Sequence, residues 1–150
     1  FTTSGGMRSP IIMYGIDNIE NKIYDEFISV LDIAPTLYSL SDSDSEISVT
    51  GESIVPFLKK NQEYIHDENY VFAFEHSASS ILIKDKWKIV NNSFPFNIND
   101  FELYLLSDIS EINNLKYEQS EIYKSLIKDW KSFVKANRII LPTPYRDDLN

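Results

Sequence analysis

The chain has 150 residues, 43% of them apolar, enough to fill the core of one domain. Its 14 basic and 23 acidic side chains give a net charge of −9, a balance that disfavours a nucleic-acid partner, which needs clustered Lys and Arg. There is no cysteine, which excludes disulfides and zinc–thiolate centres, and no apolar run approaches the ~20 residues of a membrane-spanning helix.

The chain opens on Phe1, and its first methionine is Met7. It has no basic-then-apolar secretory pattern. We therefore expect the C-terminal piece of a longer protein, with the signal region elsewhere and a periplasmic, secreted or lysosomal-type compartment left open. Ser4-Gly5-Gly6-Met7-Arg8-Ser9-Pro10 reads as a tight turn, since paired glycines reach conformations other residues resist. Ile11-Ile12-Met13-Tyr14 then reads as a strand buried on both faces, with Pro10 at its start. Gly15 to Lys22 is a polar loop, and the apolar pattern resumes from Tyr24 to Leu31.

Asp32 has the character of a helix N-cap, with Pro35 in the first turn, where backbone N–H groups lack helical partners. This predicts a short helix over Ile33–Leu40, buried along Ile33, Leu37 and Leu40. Ser41 to Glu46 reads as a solvated acidic loop; as a calcium loop it fails, because Ile47 stands where such a loop needs glycine. Thr50 to Leu58 predicts a turn and a short helical segment, and Lys59 to Asn69 a polar connector.

From Tyr70 the period changes to two. Tyr70–Glu75, Ser80–Lys84 and Lys86–Val90 predict an antiparallel meander, the last two joined at Lys84-Asp85-Lys86. Glu102–Leu106 offers a fourth strand after the Phe94–Asp100 loop. Over Glu118–Asn137, residues Ile122, Leu126, Ile127, Trp130, Phe133 and Val134 fall on one stripe of a 3.6-residue helix, which would cover one face of the sheet. The tail beyond it, with Pro142 and Pro144, is expected to be extended.

Chemistry-bearing residues are few. His66, among Glu63, Asp67 and Glu68, reads as part of a solvated loop rather than a metal site. His76 ends a strand, a place where binding sites are often built, and is a candidate substrate contact. Ser77, Ser79 and Ser80 stand in no Gly-x-Ser-x-Gly elbow. Arg8 has two readings, a salt bridge pinning the turn or a two-pronged donor to a substrate anion. No complete active site assembles from these residues.

The order of segments, from the start to about residue 137, resembles the C-terminal portion of the sulfatases, in an arylsulfatase-like branch of the alkaline-phosphatase superfamily. The family's Glu-Gly-Gly-x-Arg-x-Pro segment is matched by Ser4 to Pro10, with Ser4 in place of Glu. Its Asp-x-x-Pro-Thr helix is matched by Asp32-Ile33-Ala34-Pro35-Thr36, and its Gly-x-Ser-Leu-x-Pro turn by Gly51-Glu52-Ser53-Ile54-Val55-Pro56. A strand ending in an aromatic–Lys pair is matched by Lys86-Trp87-Lys88-Ile89. The Glu-Leu-Tyr-Asp-Leu and Asp-Pro-x-Glu-x-x-Asn-Leu stretches are matched by Glu102–Leu106 and Asp108–Leu115, with Leu105 and Ile109 departing from the pattern.

The resemblance implies an α/β fold. Residues 1–60 would be the end of the large sulfatase domain. Residues 61–150 would form a C-terminal subdomain, a small antiparallel four-stranded sheet packed by a C-terminal helix. It implies hydrolysis of sulfate esters by the intact enzyme, with calcium and a formylglycine nucleophile. The partner would be the missing N-terminal sulfatase domain, and the substrate a sulfated small molecule or glycan.

Formylglycine arises in a Cys/Ser-x-Pro-x-Arg string, which this chain lacks; Pro142-Thr143-Pro144-Tyr145-Arg146 has Pro in place of the nucleophile. The family's metal ligands and its sulfate-binding Lys lie upstream of the matched segments. The 150-residue piece alone is thus expected to be inactive, with no metal ligands and with Arg8 and His76 as candidate substrate contacts. Two alternatives stand beside this reading. One is a phosphodiesterase, phosphonate hydrolase or phosphoglycerol-transferase-like member of the same superfamily. The other is a non-catalytic binding or interaction module.

Overall fold

A computed structural model describes residues 3–41 and 48–141. The acidic loop after Ser41 and the proline-containing tail, with the Pro142–Arg146 string, lie outside the described residues. In chain order the elements are α1 (Ser4–Met7), a 3₁₀ turn (Val30–Asp32), α2 (Ile33–Leu40), α3 (Val55–Leu58), β1 (Val71–His76), β2 (Ser79–Lys84), β3 (Trp87–Asn91), a second 3₁₀ turn (Ile98–Asp100), β4 (Glu102–Leu105) and α4 (Ser120–Asn137). By contacts the chain divides into two units, Phe1–Pro10 with Glu68–Asn150, and Ile11–Asp67. The Gly5-Gly6 segment therefore groups with the sheet, and the change of unit falls at Asp67–Glu68.

In the first unit the four strands form an antiparallel meander in the order β1-β2-β3-β4. The β1–β2 turn places Ser77 and Ala78 at positive φ, the geometry that matches strand twist in a two-residue hairpin. The register aligns Ala73 with Leu82, Leu82 with Ile89 and Ile89 with Leu103. Those residues share the face that α4 covers with Leu126, Trp130 and Val134. Phe96 and Phe101 close the layer, their rings 6.4 and 5.3 Å from that of Trp130. Lys84 Nζ donates to Asp129 Oδ2 at 2.9 Å, tying β2 to the same helix. Helix α4 ends where Arg138 turns left-handed and Ile139 N–H returns to Val134 O. The opposite face carries Ile81, Ile83, Val90, Lys88 and Tyr104, all buried.

The sheet, its pairing and the amphipathic helix match the sequence reading. Three local expectations do not. Ile11–Tyr14 forms no strand, and Ile12 and Tyr14 are 92% and 101% exposed, because none of the four strands pairs with it. Residues 4–7 form one helical turn instead of a glycine-dependent turn; neither Gly5 nor Gly6 has a positive φ, and a side chain at Gly5 would meet nothing. Helix α2 spans its predicted residues but buries Pro35 and Thr36, leaving Ile33, Leu37 and Leu40 largely exposed. Its inward side is set by polar anchoring at Asp32 and Thr36, not by its apolar stripe.

Trp130 is fully buried, and its indole N–H has no acceptor among the described residues. Trp130→Ala should lower stability by about 3–5 kcal/mol in urea denaturation. Trp130→Phe should cost clearly less, because the orphaned N–H leaves with the indole. Equal losses for the two variants would contradict this packing.

Candidate functional site

In the Ile11–Asp67 unit, the polar motif residues converge on the Asp32 carboxylate, which is 2% exposed. Ser29 opens the 3₁₀ turn with a capping box: its Oγ accepts from Leu31 N–H, while its own N–H donates to Asp32 Oδ2 at 2.6 Å. Glu52 N–H donates to Asp32 Oδ1 at 2.8 Å, and His66 Nε2 lies 3.1 Å from Oδ2. Thr36 Oγ1 donates to Asp32 O at 2.6 Å and accepts from Ile54 N–H at 3.1 Å. Helix α2 and the run 51–54 are thus clamped through two side chains.

Gly51 makes this approach possible. Its φ is +106°, and a Cβ there would stand 2.5 Å from Leu31 O and 2.9 Å from Asp32 Oδ1. Both Asp32 oxygens are occupied by protein donors, so this carboxylate is a joint of the framework. His66 corrects the sequence reading: its side chain is only 7% exposed and completes the joint instead of facing water. Beside it, Ile11, Met13, Ile28, Ile33, Leu37 and Ile54 line an apolar concavity of about 220 Å³.

In the sheet unit, Lys88 is 1% exposed, and alternation on β3 turns it to the face opposite α4. A buried ammonium is tolerated only when its donors are used. Lys88 Nζ donates to Ser4 Oγ at 2.6 Å, to Glu111 Oε1 at 3.0 Å and to Asp108 O at 3.1 Å. The same Glu111 oxygen accepts from Ser4 N–H at 2.8 Å and Ser4 Oγ at 3.1 Å. Tyr104 sets its ring 5.9 Å from Lys88 Nζ and donates its hydroxyl to Glu102 Oε2 at 3.0 Å. Burial, then the Glu102 carboxylate, pushes the Tyr104 phenol well above its ordinary range.

The turn that delivers Glu111 is built by its own motif. Glu111 adopts a positive φ of 54°, Asp108 Oδ2 accepts from Asn113 N–H at 2.9 Å, and Asn114 Oδ1 accepts from Leu103 N–H at 3.2 Å. The bond from Asn113 holds the Asp108 carboxyl below its ordinary value.

Arg8 and His76 both lie in this unit. Arg8 is exposed, with its backbone N–H donating to Ser4 O at 3.0 Å. His76 is exposed at the end of β1, its ring stacked on Phe74 at 6.4 Å between centroids. The serines after it divide: Ser77 is exposed in the hairpin turn, and Ser80 is fully buried on β2. Among the described residues, no group of three or more His, Cys, Asp or Glu side chains is arranged to hold a metal ion. No helix among them is long and apolar enough to cross a membrane.

The roles of Lys88, Glu111 and Ser4 escaped the sequence reading, which took each as one letter of a motif. Strand alternation alone carried a signal. With Trp87 and Ile89 turned toward α4, a lysine between them must reach the other face of a covered sheet.

A model of one protein family, described as N-sulphoglucosamine sulphohydrolase, C-terminal, matches residues 1–138. The match covers the clamp at Asp32, the Lys88 cluster and the whole of α4.

Gly51→Ala should cost about 1–3 kcal/mol in urea denaturation through strain and the approach to Leu31 O. A neutral result would mean that the 51–54 run does not close on Asp32. The stability given by Asp108 is complete above its ordinary carboxyl value of 3.8 and is lost as pH falls through the lowered one. Asp108→Asn should therefore flatten the acid limb of stability against pH, and an unchanged limb would contradict the assignment.

Proposed function

The chain belongs to the family of N-sulphoglucosamine sulphohydrolase C-terminal domains, a sulfatase family, and from this we propose that it serves an enzyme that hydrolyses sulfate esters. A C-terminal domain implies an N-terminal catalytic domain as its partner. The substrate class we assign is a sulfated sugar or other sulfated small molecule. The observation that carries the reading is the character of the sulfatase-like motifs as they stand folded. Asp32 and Thr36 in one unit, and Lys88 and Glu111 in the other, are spent on internal hydrogen bonds, and Gly51 on a close approach to Leu31 and Asp32. They hold a scaffold, and the chemistry belongs to the partner domain.

Sulfate transfer needs an activated nucleophile and cationic groups against the developing charge. The intact enzyme would draw these from a formylglycine and a calcium ion. This chain has no Cys/Ser-x-Pro-x-Arg string, and its described residues offer no donor cluster for a cation, so both groups are assigned to the N-terminal domain. The chain's own contribution is at the rim. Arg8 offers a planar donor to a sulfate oxygen, and His76 with Phe74 offers an exposed ring face to a sugar.

The apolar side of α2, with Ile33, Leu37 and Leu40 at 39–61% exposure, supports docking against the N-terminal domain. Ile11–Tyr14 would pair with a strand of that domain, which accounts for an apolar run standing unpaired here.

Purified residues 1–150 should give no turnover of a chromogenic aryl sulfate above buffer, and the full-length protein should give clear turnover. Turnover by the piece alone would overturn the division of labour. Full-length protein that cleaves an aryl phosphodiester and not the sulfate would replace the sulfatase reading by that of a superfamily phosphodiesterase. Full-length protein inert to both would leave a binding module.

A further inference from the structure

We propose that Lys88 and Glu111 form a positioning socket for Arg8, acting through Ser4; the inference rests on the sulfatase reading above. The socket engages one residue of the N-terminal segment, Ser4, at both its N–H and its hydroxyl. Ser4 N–H goes to Glu111, Ser4 Oγ lies between Lys88 and Glu111, and Ser4 O accepts from Arg8 N–H at 3.0 Å. Arg8 is therefore one backbone hydrogen bond removed from a residue held by a buried ion pair.

Three features argue for geometry over bulk stability. An ammonium has three donors, and all three are used, with Ser4 Oγ the shortest contact. A single hydroxyl both accepts from Lys88 and donates to Glu111, so the Ser4 side chain has one favoured orientation in the socket. A buried ion pair is seldom more stabilising than apolar side chains of the same volume, and its best-attested use is to fix a register. Here it fixes the start of α1, a four-residue helix with two glycines and little intrinsic preference for its conformation. Lys88 and Glu111 are positioning residues, and Arg8 is the group they aim.

The test uses the full-length protein carrying Lys88→Met, with Ser4→Ala as the milder variant should Lys88→Met fail to fold. Hydrogen exchange of the peptide over residues 3–10 should quicken about tenfold in Lys88→Met, with β2 and β3 unchanged. KM for an aryl sulfate should rise about tenfold with kcat within about twofold, and Lys88→Met should add less than about twofold on top of Arg8→Ala. Ser4→Ala should show the same pattern at about threefold.

Unchanged exchange over residues 3–10 would overturn the socket. Fully additive KM effects, or faster exchange with KM unaltered, would overturn its link to Arg8. If exchange quickens as expected and the wild-type protein cleaves no sulfate ester, the socket stands and the sulfatase reading falls.

Discussion

A charge taken out of water has to be met by hydrogen bonds on every donor or acceptor it carries, and the loops of this chain are arranged to do so. Lys88 enters the buried face of the sheet because β3 must alternate, and its ammonium then requires three acceptors. The chain supplies them from two distant places, Ser4 on one side and the 108–111 turn on the other. Asp32 plays the reciprocal part in its own unit, where a buried carboxylate gathers N–H groups from Ser29 and Glu52 and the ring of His66. Each charge recruits short segments that are distant in sequence within its own unit.

This explains which parts of the fold were legible in the sequence. The meander and α4 follow from periodicity, since alternation in β1–β3 and the Ile122–Val134 stripe both report one dominant apolar contact. The joints do not follow, because hydrogen bonds between residues 84 or 107 positions apart leave no local pattern. Helix α2 shows the limit most clearly. Its bounds were readable from Asp32 and Pro35, but its apolar stripe pointed to the wrong inward face. The polar joint at Asp32 and Thr36 overrides an eight-residue helix with three apolar side chains to spare. His66 was misjudged for the same reason: acidic neighbours suggested water, and a buried carboxylate outside its own segment claimed it.

The candidate site was legible only in outline. Resemblance of segment order to sulfatases gave the family, and the family match over residues 1–138 agrees with it. What the motifs do physically emerges only when folded. The Asp-x-x-Pro-Thr helix and the glycine turn are two halves of one clamp. The Asp-x-x-Glu-x-x-Asn-Leu stretch is a turn that presents Glu111 to Lys88 while Asn114 stitches it to β4. Ser4 is fully engaged, its hydroxyl and its N–H both held by the buried cluster. Segments that look like active-site signatures are here the fittings by which a scaffold holds its edges.

Lys88 and Glu111 lie 3.0 Å apart and share Ser4, so they should act as one unit. A double-mutant cycle on stability, with Lys88→Met, Glu111→Gln and the pair together, measures it most directly. A coupling of about 1–3 kcal/mol is expected, the double variant losing less than the two single losses combined. Additive losses, with coupling below about 0.3 kcal/mol, would contradict it.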